Sequence, residues 1–132
     1  MLNFIFLSLL SFSAVADEWT TADTSREVTY QVIQAVDWAQ TRSIVRGQCW
    51  YINGDSRNAC VGGIGRYEMN PILGTRPSLD RVDIYFVASA VVHYLISDTL
   101  PEKYRAPFQY VSIVYEAGVV NRNFHLGIGA KF

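Results

Sequence analysis

The sequence predicts a mainly α-helical protein with a three-helix core, formed by one helix and an antiparallel helical hairpin. Apolar residues recur at helical spacing in three long segments, and only residues 98–100 separate the second segment from the third. Two cysteines and two glycine-alternating segments add a short disulfide-linked β-hairpin and a small C-terminal strand. At 132 residues, the length suits a single domain.

The first helix is predicted over residues 24–46. Val28, Val32 and Val36 repeat every four residues, and Thr24 and Glu27 have the spacing of a capping box. Gly47 should end this helix, because glycine is frequent just beyond helix C-termini.

The second helix is predicted over 78–97 and the third after Pro101, with Pro107 kinking it or marking its first turn. Each helix carries one line of polar side chains: Arg81, Tyr85, Ser89, His93 and Ser97 on the second, and Arg105, Gln109, Ser112 and Glu116 on the third. Such a line is either a thin solvated face or a buried seam against a partner helix.

A functional polar seam is predicted at Asp83, His93, Arg105 and Glu116. If the hairpin turns between residues 99 and 100, Asp83 lies level with Glu116, and two buried carboxylates suit proton exchange. Alternatively, Asp83 simply favours the first turn of its helix and Glu116 pairs with an arginine. The chain has no nucleophile, phosphate-loop or metalloprotease motif, so the sequence predicts no catalytic residue, no cofactor and no metal.

The N-terminal residues 1–16 are predicted to be a secretory signal peptide, which leaves 17–132 as one helical domain. The segment is uncharged and apolar, and it ends in Ala14-Val15-Ala16. An uncleaved N-terminal anchor is the alternative. The net charge of −1 and the lack of a basic stripe predict that nucleic acid is not a partner.

The two cysteines, Cys49 and Cys60, are predicted to form a disulfide, because an exported protein meets an oxidising compartment. A loop that starts at Asn53-Gly54 would bring them opposite each other in a β-hairpin. The neighbouring aromatic stretch, Trp50-Tyr51-Ile52, is the predicted contact with a protein partner.

An Asn-Pro turn is predicted to hold a structural clasp. Asn70 can cap a short turn that begins at Pro71, and Glu68 lies just before it. We expect Glu68 and Asn70 to dock on Asp37 and Thr41 of the first helix and to form a buried polar network.

These same stretches carry a resemblance. "DWAQT" at 37–41, "EMNPILG" at 68–74 and "FQYVSI" at 108–113 resemble segments of small uncharacterised exported or membrane proteins of bacteria and their phages. The resemblance implies a helical protein of the cell envelope and assigns no catalytic residues.

The predicted function is therefore a non-enzymatic accessory or interaction role in a bacterial or phage-derived envelope. The protein would be periplasmic or membrane-associated, with the inner membrane included, and its partner would be an envelope protein or a membrane surface. Two alternatives stay open: a small integral membrane enzyme or proton-coupled carrier that uses Asp83, His93 and Glu116, and a periplasmic inhibitor of a cell-wall hydrolase.

Overall fold

The described residues fold into a bundle of three α-helices. A computed structural model describes residues 18–46, 70–74 and 77–130. The helices are α1 (Thr21–Val45), α2 (Leu79–Thr99) and α3 (Glu102–His125). The mainly helical fold class with three helices is thus confirmed, and the described residues contain no strand.

The central helix of the bundle is α1. Both α2 and α3 pack on α1, and they contact each other much less. Two hydrogen bonds show that α1 and α2 are antiparallel. The indole Nε1 of Trp19, just before α1, donates to Asp98 near the end of α2 at 2.9 Å. The indole Nε1 of Trp38, later in α1, donates to Asp83 near the start of α2 at 2.7 Å.

Helix α3 runs parallel to α1. Arg105 contacts Asp23 near the start of both helices, and Asn123 donates to Asp37 nearer their ends. The bundle therefore has a proximal end, where α1 and α3 begin and α2 ends, and a distal end, where α1 and α3 end and α2 begins.

The helix starts are set by polar caps. Ser78 accepts a hydrogen bond from the backbone of Arg81 at 3.2 Å, as the predicted start of the second helix requires. The predicted start of the first helix was wrong, because Thr20 and Asp23 form the capping box and place the first turn earlier.

The predicted C-terminal strand is wrong for the residues described. Helix α3 continues to His125, and Gly127 then adopts a φ of 79°. The amide of Ile128 donates to the carbonyl of Asn123, and that of Gly127 donates to Phe124, both at 2.9 Å, which is a Schellman motif. The glycine that suggested strand alternation instead terminates a helix.

The Asn-Pro turn closes on itself. Asn70 Oδ1 accepts from the amide of Ile72 at 2.9 Å, and its carbonyl accepts from Leu73 and Gly74. Leu73 is buried and packs with Val82 and Phe86 in a small apolar cluster at the distal end. Ile72, which precedes Leu73, is largely exposed.

Several predictions fall outside the described residues. They are the signal peptide over 1–16, the disulfide between Cys49 and Cys60, the aromatic stretch at 50–52 and the clasp residue Glu68. Among the three helices described, none has both the length and the apolar character needed to cross a membrane.

Candidate functional site: a buried polar cluster

Polar side chains occupy the middle of the bundle. Six of them form what we call the central polar cluster, contributed by all three helices: Asp23, Glu27, His93, Ser97, Arg105 and Gln109. All six are buried, and each bonds to at least one other member. Burying such groups is costly unless they are paired, so their mutual contacts are what makes this arrangement stable.

The carboxylate of Glu27 connects the three helices. Its Oε1 accepts from Gln31 at 2.7 Å and lies 3.1 Å from Nδ1 of His93. Its Oε2 accepts from Ser97 at 3.0 Å and from Gln109 at 3.4 Å. Four hydrogen-bond donors therefore surround one carboxylate, which can accept about four hydrogen bonds.

The imidazole of His93 lies between two aromatic rings. The ring centroids are 3.6 Å from Tyr30 and 4.8 Å from Phe108, and both pairs are stacked. Because a carboxylate only accepts hydrogen bonds, the contact with Glu27 places the proton on Nδ1. The other nitrogen, Nε2, is buried and has no hydrogen-bond partner among the described residues.

The guanidinium of Arg105 ties the connection between α2 and α3 to α1. Arg105 is 0% exposed. Its Nε donates to the carbonyl of Ser97 at 2.9 Å, Nη2 donates to that of Leu100 at 3.1 Å, and Nη1 lies 3.4 Å from Asp23. Its planar fork also lies over the ring of Trp19.

Asp23 joins the cap of α1 to the cluster. Burial raises the pKa of its carboxyl, but hydrogen bonds from the backbone and hydroxyl of Thr20 and from Arg26 outweigh burial and hold the pKa below its ordinary value. Asp23 therefore stays ionised at neutral pH and can pair with Arg105.

A second polar group lies at the distal end. Hydrogen bonds from Arg42 and then from Trp38 hold the pKa of Asp83 below its ordinary value. Arg42 also lies over the Trp38 ring, with its guanidinium carbon 5.0 Å from the centroid. This group fixes α2 on α1 and is half-exposed, unlike the central polar cluster.

Replacing Asp83 by Asn should have a small effect. Because the pair with Arg42 is half-exposed, we expect the free energy of unfolding at pH 7 to fall by about 1 kcal/mol or less. The ordinary pKa of the carboxyl is 3.8, and the folded value is lower, so its contribution is present above that pH and lost as the pH falls through the folded value. Denaturant titrations between pH 2 and 7 should show a weaker acid dependence for Asp83→Asn; an unchanged dependence would contradict this.

The structure does not bring together the four residues of the predicted polar seam. Asp83 bonds to residues of α1, whereas His93 and Arg105 belong to the central polar cluster. His93 stacks on Phe108 of α3. Glu116 is half-buried and lies within electrostatic range of Tyr30.

Only part of the predicted structural clasp lies within the residues that the structure describes. Asp37 accepts from Asn123 of α3 at 2.9 Å, Thr41 is buried, and Asn70 and Pro71 form the turn described above. The contact of α1 with Asn123 was not predicted; it is extended by Gln40, whose amide donates to the carbonyl of Ile128 at 3.2 Å.

Sequence reasoning missed the polar face of α1. The helix was predicted from the repeat of its valines, but Val28 and Val32 are exposed. The buried residues are Asp23, Glu27 and Gln34. The sequence spacing indicates this polar face. Asp23, Glu27, Gln34 and Thr41 are separated by four, seven and seven residues, so they lie on one face of a helix.

A groove of about 200 Å³ separates part of α1 from α2. It is lined mainly by apolar groups, among them Phe86, Val87 and Ala90. Gln34 lies at its wall, and its buried Oε1 accepts no hydrogen bond from the part of the chain that the structure describes. Across the residues described, no three histidine, cysteine or acidic side chains are grouped so as to hold a metal ion.

The comparisons with known proteins add no assignment. No protein-family model, curated protein or solved structure matches this chain.

Proposed function

We propose that the protein is a non-enzymatic component of a bacterial or phage-derived cell envelope, exported and acting through contacts of its outer surface. One observation carries this proposal. The charged groups at the centre bind one another across helices, whereas the exposed surface between the helix ends is apolar. Large exposed apolar surfaces mark sites of interaction.

The N-terminal sequence and the resemblance to small exported or membrane proteins support an envelope location. Two finer features belong to the proposal: a hairpin bridged by Cys49 and Cys60, and a partner contact at Trp50, Tyr51 and Ile52. An oxidised pair would hold the aromatic residues in a fixed loop.

Cell fractionation tests the location. The full chain with a C-terminal tag should appear in the envelope fraction, with Asp17 as the N-terminal residue after processing. The matched control carries Leu9→Arg and Leu10→Arg, which breaks the apolar segment and should retain the unprocessed protein in the cytosol. Recovery of wild-type protein in the cytosol would contradict the proposal.

Thiol labelling tests the disulfide. A maleimide polymer should add to neither Cys49 nor Cys60 in denatured, unreduced protein and to both after reduction. Labelling of both without reduction would exclude the bridge.

A proton-coupled carrier or membrane enzyme is the second candidate. Its support is the buried contact between Glu27 and His93, whose Nε2 has no hydrogen-bond partner within residues 18–46, 70–74 and 77–130. Proteoliposomes with a pH-sensitive dye would show proton flux that Glu116→Gln or His93→Gln abolishes. Our first proposal predicts no flux, and a periplasmic inhibitor would instead be released by osmotic shock.

A further inference from the structure

The outer surface of the bundle carries an uncharged belt. We define the belt as residues 24–37 of α1, 84–97 of α2 and 104–121 of α3. Within it, no exposed position bears a charged side chain, and the charged residues of intermediate exposure are Arg26, Asp37 and Glu116. Large apolar side chains dominate, with exposed fractions of 65% at Val87 and 71% at Val114.

Charged groups mark both edges of the belt. Exposed charges at the proximal end come from Glu18, Glu102 and Lys103; those at the distal end come from Arg46, Asp80, Arg81 and Arg122. At 1.5 Å per residue, the belt is about 21–27 Å long. The hydrocarbon core of a bilayer is about 30 Å thick, and small mismatches are absorbed locally.

The proximal edge also carries aromatic residues. Trp19 stacks on Tyr94 with the ring centroids 5.5 Å apart, and Tyr104 is exposed nearby on α3. Tryptophan and tyrosine are enriched where hydrocarbon meets the headgroup layer.

Exposed hydroxyls in the belt on α1 are satisfied within the helix. Thr29 donates to the carbonyl of Ser25 at 2.8 Å, and Ser25 donates to that of Thr21 at 2.9 Å. This bonding to the carbonyl four residues earlier lets hydroxyl side chains face an environment without water.

We infer that the belt is seated against the acyl chains of a lipid bilayer, with the two charged ends in the headgroup layers. This inference rests on the proposed function and names lipid as the partner of the outer surface. The mean hydropathy of a single helix is taken over both the side chains that face the bundle centre and those that face outward. Here the polar groups that lower that average, such as Glu27 and Gln109, face the centre, so the assembled bundle presents more apolar surface than any single helix suggests.

Extraction of cell membranes with alkaline carbonate tests the inference. Full-length wild-type protein should stay in the membrane pellet. A variant with Val91→Arg and Val114→Arg, both at mid-belt, should lose most of its pellet fraction or be degraded, because a charge in hydrocarbon is expensive. Val91→Leu keeps the site apolar and Thr99→Arg places the charge beyond the belt, so both controls should behave as wild type.

If the arginine variant does not fold, labelling of single introduced cysteines still tests whether the belt contacts lipid. In a Cys49→Ser, Cys60→Ser background, Val91→Cys in membranes should react with a lipid-soluble maleimide and not with a charged one. The matched Thr99→Cys should react with the charged reagent once the membrane is permeabilised. Equal labelling of both positions by the charged reagent would overturn the inference.

The outcomes separate lipid from protein partners. If wild-type protein leaves the membrane in carbonate and forms an oligomer that Val91→Arg dissociates, the belt contacts protein, and only the inference about lipid fails. If wild-type protein is monomeric in buffer and Val91→Arg changes nothing, the proposed role of the outer surface fails with it.

Discussion

Replacing Arg105 by Met should lower the free energy of unfolding by about 3–5 kcal/mol, the typical cost of removing one partner from a buried ion pair. The side chain volume is nearly preserved, so the loss comes from charge and hydrogen bonding. Asp23 loses a cationic neighbour, and the carbonyls of Ser97 and Leu100 lose their donors. Chemical denaturation of purified protein, in the buffer or detergent that keeps it folded, measures the change.

Two matched variants sharpen the measurement on Arg105. Lys103 is exposed on the same turn, so Lys103→Met should change stability by less than about 0.5 kcal/mol. Combining Arg105→Met with Asp23→Asn should cost less than the sum of the single changes, because the two side chains share an ion pair. Additive costs would show that the pair contributes nothing of its own.

Replacing Glu27 by Gln should destabilise the fold by about 3 kcal/mol, although glutamine has nearly the same shape. The carboxylate accepts from Gln31, His93, Ser97 and Gln109, whereas an amide offers one oxygen and a donor group that faces other donors. Thermal unfolding followed by circular dichroism measures the effect.

The control for Glu27 is Glu102→Gln. Glu102 is exposed in the first turn of α3, so removal of its charge should cost only a few tenths of a kcal/mol. Equal effects at positions 27 and 102 would mean that the central polar cluster does not hold the three helices together.

Much of the fold was predictable from local patterns. The cap at Ser78, the short connection before Pro101 and the apolar runs of α2 and α3 each determine a helix without long-range information. The polar lines on α2 and α3 were also identified, with two alternatives open. His93, Ser97, Arg105 and Gln109 are buried, so this part of the two lines forms a seam inside the bundle, whereas Arg81 is exposed.

The partner of that seam was not predictable in the same way. Facing lines on adjacent helices suggested that α2 and α3 pair with each other, but both pack on α1. The choice depends on the acidic residues Asp23 and Glu27, whose carboxylates contact Arg105 and His93 only once the helices are placed. The strand near Gly127 failed for a different reason, since alternating glycine also suits a helix terminus with a positive φ.

The first and last described residues of the bundle lie at opposite ends. Helix α1 begins at the proximal end and α3 finishes at the distal end, while Arg46 and Asn70 both lie distally, where Ile72 accepts from Arg81. In a bilayer, labels attached at Glu18 and at Ala130, the first and last described residues, would then lie in opposite compartments.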